Sequence, residues 1–144
     1  MNGAGGSEMS INMKTVEEWI VESNARQEED FGEVVQEMKE LCIAIDNATL
    51  IYPKHVFCFG KKAEVFFFFQ DHVVVGQEQE EYIQVEKLKY EDITDTSLKT
   101  NDKNTILQLE FSNGKSIMLD SLNDNCGAKN WLFARQIKSI FKLL

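Results

Sequence analysis

The chain has 144 residues, 43% of them hydrophobic and 27% charged, with a formal net charge of −9. That is one ordinary domain with a real core, which excludes a multidomain enzyme; the negative charge argues against nonspecific nucleic-acid binding, whose affinity comes from Lys and Arg neutralising phosphates. The longest uninterrupted apolar run, Val65 to Phe69, falls far short of the roughly 20 residues that cross a bilayer as a helix, so no membrane span is expected.

The N-terminus, MNGAGGSEMS, has neither a basic n-region nor an apolar h-region, so residues 1–14 are expected to be a flexible tail and the protein cytoplasmic. In a reducing compartment Cys42, Cys58 and Cys126 are expected to be free thiols that act as small hydrophobes. The acid is concentrated early: Met1 to Asp46 holds eleven acids against three bases, a net of −8. Thr15 and Glu18 form a T-x-x-E capping box ahead of Val16, Trp19 and Ile20, which predicts a helix start. After a polar interval, Phe31, Val34, Val35, Met38, Leu41, Cys42 and Ile45 recur at i, i+3, i+4, i+7 spacing. Residues 15–46 therefore read as an acidic helical segment, either one helix bent near Gly32 or two helices.

Beyond Asp46-Asn47 the pattern changes to strands, read as Thr49 to Cys58, Glu64 to Gln70, His72 to Gln77, Tyr82 to Leu88, Ile93 to Lys99, Asn104 to Phe111 and Lys115 to Leu119. The stretch EVFFFFQDHVVVG, Glu64 to Gly76, is apolar at consecutive positions. Strand side chains alternate between faces, so Phe66 and Phe68 point one way and Phe67 and Phe69 the other. Both faces need cover. The sheet's own interior supplies one; over Phe67, Phe69 and Val74 the helical segment is the preferred cover, with a second chain in a homodimer as the alternative. Ser112-Asn113-Gly114-Lys115 predicts a type I′ hairpin turn, with Leu107, Leu109 and Phe111 alternating along one arm. A last helix, about Ala128 to Leu144, sets Phe133, Ile137, Ile140, Phe141 and Leu144 on a core stripe. At about 100° per residue, Trp131, Arg135, Lys138 and Lys142 fall opposite.

Seven consecutive antiparallel strands followed by one amphipathic helix is the element order of the pleckstrin-homology (PH) superfold. VFFFFQDHVVVG resembles the second and third strands of the bacterial PH-like families, KLKYEDITDTSLK the step from strand four to five, and ILQLEFSNGKSIML strands six and seven. The resemblance covers Thr49 to Leu144. It implies an α+β protein in which residues 47–144 form a PH-like seven-stranded antiparallel barrel, capped at one end by the C-terminal helix and preceded by the helical segment. PH domains that bind phosphoinositides carry an Arg-containing basic cluster in the first loop. Here that loop, Gly60-Lys61-Lys62-Ala63, has no arginine, so phosphoinositide binding is not expected.

No catalytic set stands out. His55 and His72 lie among hydrophobic neighbours without H-E-x-x-H or C-x-x-C spacing, the cysteines are widely separated, and phosphate-cradling glycine motifs are absent from the strand region. The acidic runs Glu28-Glu29-Asp30 and Glu78, Glu80, Glu81 read as solvated surface. No catalytic residue, metal or cofactor is therefore expected, and the function is expected to be that of a non-catalytic intracellular binding or scaffolding module for a protein partner. Trp131, Arg135, Lys138 and Lys142 would be its cation-and-aromatic binding face. The alternatives are a small-ligand-binding or enzymatic cone fold and an acidic inhibitor of the immunity-protein kind.

Overall fold

The computed structural model describes residues 18, 29–41, 43–55, 58, 60–125 and 130–144. Helix α1 spans Glu29–Glu40 and is followed by a 3₁₀ turn at Ile45–Asn47. Strands β1 (Leu50–Lys54), β2 (Glu64–Phe68), β3 (His72–Glu78) and β4 (Ile83–Lys89) come next, then a 3₁₀ turn at Tyr90–Asp92. Strands β5 (Ile93–Thr100), β6 (Thr105–Phe111) and β7 (Ser116–Asp120) lead into the one-turn helix α2 (Ser121–Asp124) and the terminal helix α3 (Asn130–Leu143). The capping box at Thr15 lies outside the described residues, apart from Glu18.

The strands form two separate antiparallel sheets, β1-β2-β3-β4 and β5-β6-β7. This overturns the expected PH-like barrel: no ladder joins β4 to β5 or β1 to β7, so the sheet never closes. The physical reason lies at the seams. Between β4 and β5 the 3₁₀ turn redirects the chain, and a bulge between Ile93 and Asp95 shifts the β5 register, which bends a strand away from its former neighbour. At the other seam β1 ends four residues before the expected Cys58, because His55 adopts φ 62°, a left-handed conformation that stops strand pairing. The β6–β7 turn also differs from the type I′ reading. Only Gly114 has positive φ, and Gly114 N–H donates to Phe111 O while Phe111 N–H donates to Lys115 O. That is a three-residue loop in which a type I turn precedes a left-handed glycine.

Register explains how the β2–β3 hairpin is covered. Phe67 pairs with Val74 and Val65 with Gly76, which puts these four on one face; Phe66, Phe68, Val73 and Val75 take the other. The first face lies under α1, which packs on β2, β3 and β4. The second faces the inter-sheet core, where Phe66 and Phe68 stack at 6.2 Å and Tyr52 meets both Phe66 and Phe133 edge-on. Phe67 and Val74 are fully buried, and each such side chain contributes about 1.5–3 kcal/mol. Phe69, just past β2, is half-buried and stacks on the His72 ring at 4.7 Å.

Helix α1 buries Val34, Val35 and Met38, but it ends at Glu40, so Leu41 is left 54% exposed. The α3 stripe is also turned from its expected setting: Leu132, Phe133, Gln136, Ile137 and Ile140 are buried, and Phe141 faces outward at 41% exposure. Helix α3 packs on β1, β6, β7 and α2, so four elements rather than one face select its rotation.

Helix α1 packs tightly on the sheet at Gly76, where a Cβ would stand 2.6 Å from Val34 Cγ1 and 2.8 Å from Met38 Sδ. Gly76→Ala should cost about 1–3 kcal/mol by overpacking. Adding Val34→Ala should give a double variant less destabilised than the sum of the two singles. Urea unfolding measures both, and additive costs would show that α1 does not press on Gly76.

Candidate functional site

Three parts of the molecule gather chemistry-bearing side chains. The first is the solvent side of α3. Trp131, Arg135, Lys138 and Lys142 align along it, with Trp131 57% exposed and Phe141 beside the cations. Lys138 and Lys142 form no ion pair among the described residues. The result is a basic strip with an aromatic residue near each end, on a chain whose net charge is −9.

The second is a cleft of about 320 Å³ where the inner face of the four-stranded sheet meets β7. Its rim carries Lys54, Glu64, Gln77, Glu86 and Lys115, and its floor includes Phe66, Val75, Leu88 and Ile117. Lys54 Nζ donates to the Met118 carbonyl at 2.9 Å, Gln77 Nε2 donates to Glu64 Oε1 at 2.7 Å, and Lys115 pairs with Glu86. Burial pushes the Glu64 carboxyl up, partly offset by Lys54.

The third is a buried corner joining β1 to α2. Tyr52 Oη donates to Asp124 Oδ2 at 2.7 Å, and the Asp120 N–H donates to the same oxygen at 2.7 Å. The His55 N–H donates to the Asp124 carbonyl at 2.9 Å, and His55 Nε2 stands 3.7 Å from Asp124 Oδ1. Asp120 caps α2 by accepting from the N–H groups of Leu122 and Asn123, the usual way an Asp satisfies orphan helix donors. Asp124 is 2% exposed, and burial pushes its carboxyl up despite the two donors. Burial, then the nearby Asp124 charge, pushes the Tyr52 phenol well up; burial, with Lys54 and Lys61, holds His55 down. Each of the three shifts runs toward the neutral form.

Cys58, next to this corner, is disulfide-bonded, which corrects the expected free thiol; Cys42 and Cys126 lie outside the described residues. The step from a reducing compartment to free thiols therefore fails at Cys58. Among the described residues no group of three or more His, Cys, Asp and Glu could hold a metal ion, and no helix is long and apolar enough to cross a membrane.

Sequence reading placed Trp131, Arg135, Lys138 and Lys142 on one strip, and they are together. It also grouped Phe67, Phe69 and Val74. Phe67 and Val74 lie side by side under α1, whereas Phe69 is at the hairpin end against His72. It missed the cleft and the corner. A signal for the cleft existed in Glu64 and Gln77, polar positions in register across an otherwise apolar hairpin; none existed for Tyr52 with Asp124, which lie 72 positions apart.

These features define an α+β protein of two antiparallel sheets with a helix over one sheet's outer face and a helix packed against the sheets' shared core. The chain belongs to the family described as "Protein of unknown function (DUF3908)", which matches residues 12–135. No curated protein and no solved structure matches it.

The corner sets a pH dependence. A carboxyl with a raised folded-state pKa binds its proton more tightly when folded, so the contribution of Asp124 to stability is fully present below the ordinary aspartate value of 3.8 and is lost as pH climbs above it, whereas that of His55, held down, is lost as pH falls below the ordinary histidine value of 6.5. Asp124→Asn should flatten that fall, as followed by urea midpoints across the acid-to-neutral range. Asp124→Ala should cost about 2–4 kcal/mol, because it strands the buried Tyr52 hydroxyl and Asp120 N–H. A loss under about 0.5 kcal/mol would show that the corner does not hold the sheets together.

Proposed function

We propose that this protein is a non-catalytic protein-binding module whose contact surface is the outward strip of α3. One observation carries this reading: Trp131 stands 57% exposed in line with Arg135, Lys138 and Lys142, on a helix whose opposite side is packed into the core. Trp and Arg are among the residues that most often dominate binding energy at protein interfaces, since each offers a large planar group for contact. Lysines flanking an aromatic ring select an acidic segment and speed its encounter.

The partner is an acidic protein segment with an apolar anchor, and not an anionic membrane. Each Lys or Arg near a charged bilayer contributes about 1 kcal/mol. Three such residues do not hold a chain of net charge −9 against the repulsion of the rest of its surface. Two aromatic residues on the strip add only a small insertable area.

The test is a titration with a 12-residue Glu-rich peptide carrying one Leu, read by fluorescence in a Trp19→Phe background so that Trp131 alone reports. The peptide should shift or quench the emission saturably, and the affinity should drop with salt. The pair Lys138→Glu and Lys142→Glu should weaken binding by about 10-fold or more, and Trp131→Ala should weaken it similarly when followed by calorimetry. Binding unchanged in the charge-reversed pair overturns the reading. So does a preference for phosphatidylserine vesicles over the peptide, or a concentration-dependent dimer that the same pair abolishes, since these place a membrane or a second copy on the strip.

A further inference from the structure

The inter-sheet cleft is separate from the α3 strip and has a distinct chemistry. Its rim combines two cations, Lys54 and Lys115, with two carboxyls, Glu64 and Glu86, above an apolar floor. Each lysine spends one donor inside the protein, Lys54 on the Met118 carbonyl and Lys115 on Glu86. An ammonium has three donors, so both keep capacity for a ligand carboxylate.

A second observation comes from the edge of β7. This strand pairs only with β6, in the register Leu109 with Ile117 and Leu107 with Leu119. The Met118 carbonyl accepts from Lys54, so the backbone groups of Met118 point away from β6 into the opening. Its N–H is thus a strand-edge donor facing the cleft, of the sort that pairs with an extended peptide group. At about 320 Å³ the space lies at the small end of ligand pockets, which run from about 300 Å³ upward.

We propose that this cleft binds a small zwitterionic ligand of dipeptide size with an apolar side chain. Its carboxylate lies between Lys54 and Lys115, its ammonium on Glu64, its peptide group on the Met118 edge and its side chain on Phe66, Val75 and Leu88. The charge arrangement excludes the other classes. A polyanion meets Glu64 and Glu86, a polycation meets the two lysines, and a purely apolar ligand strips water from four charged groups without replacing it. Burial disfavours the ionised form of Glu64 and Lys54 offsets this only in part, so a ligand ammonium beside Glu64 adds the charge compensation that the cleft itself leaves incomplete.

The experiment titrates the ¹⁵N-labelled full chain with alanyl-leucine and follows amide shifts. Saturable shifts at Ser116, Ile117, Met118 and the Gln77 side-chain amide are expected, with a dissociation constant of about 0.1–1 mM. N-acetyl-alanyl-leucine and alanyl-leucinamide, which each lack one charge, should bind at least about 10-fold more weakly. Glu64→Gln and Lys115→Met should each weaken the dipeptide by a similar factor while leaving distant amide shifts in place. Lys115→Met should leave the residual affinity for the amidated dipeptide unchanged, a pattern that a loosened structure would not produce. No saturable shift by about 10 mM ligand overturns the proposal. Equal binding of the acetylated or amidated form does so as well, as does unchanged affinity in both variants. None of these outcomes bears on the α3 strip, where the peptide titration is read through Trp131.

Discussion

Two sheets that share no ladder must be held by side chains, and one of those links is a buried hydrogen bond from Tyr52 to Asp124. It ties the middle of β1 to the corner that follows β7, at the place where a closed barrel would have used backbone pairing. The same carboxyl oxygen accepts the Asp120 N–H, so one side chain satisfies a donor from each sheet. A buried acceptor with two donors is worth far more in the breach than in the making, because removing it strands both partners away from water. The ring of Tyr52 meanwhile meets Phe133 edge-on at 5.2 Å, which extends the link to α3. The strip on α3 and the cleft at the sheet seam therefore both depend on this corner for their positions.

The open seam is also what creates the cleft. Had β1 and β7 joined, β7 would have spent its outward backbone groups on a neighbouring strand, and Lys54 would have had no carbonyl to reach. Side chains bridge the gap instead, with Lys54 on Met118 and Lys115 on Glu86. These contacts are exchangeable in a way that a ladder is not. The edge is guarded by charge, as natural sheets protect strands that have no partner, and the guard is itself chemically usable.

Much of the element order was legible in the residues. Alternation in Leu107, Leu109 and Phe111, the i, i+3, i+4 spacing of Val34, Val35 and Met38, and the glycine at 114 each report a local backbone preference, and the corresponding strands, helix and turn lie close to where those patterns put them. The misses share a cause. The α3 rotation, the 3₁₀ turn at Tyr90–Asp92 and the left-handed His55 all answer to neighbours that are distant in sequence. The basic strip could be read from helical periodicity alone, whereas the cleft required knowing which faces of four strands meet a fifth.

By itself the sequence determined that this chain has strands with a doubly apolar hairpin, an amphipathic helix before them and another after them, because the period of apolar residues is a local property of the backbone that carries them. It also determined that the hairpin needed cover on two sides. Only the tertiary structure decided that seven strands divide into four and three, that α1 lies against Gly76, and that Phe141 rather than Leu132 faces water. Sheet closure and helix rotation depend on the sum of contacts among elements far apart in the chain, and no local pattern encodes that sum.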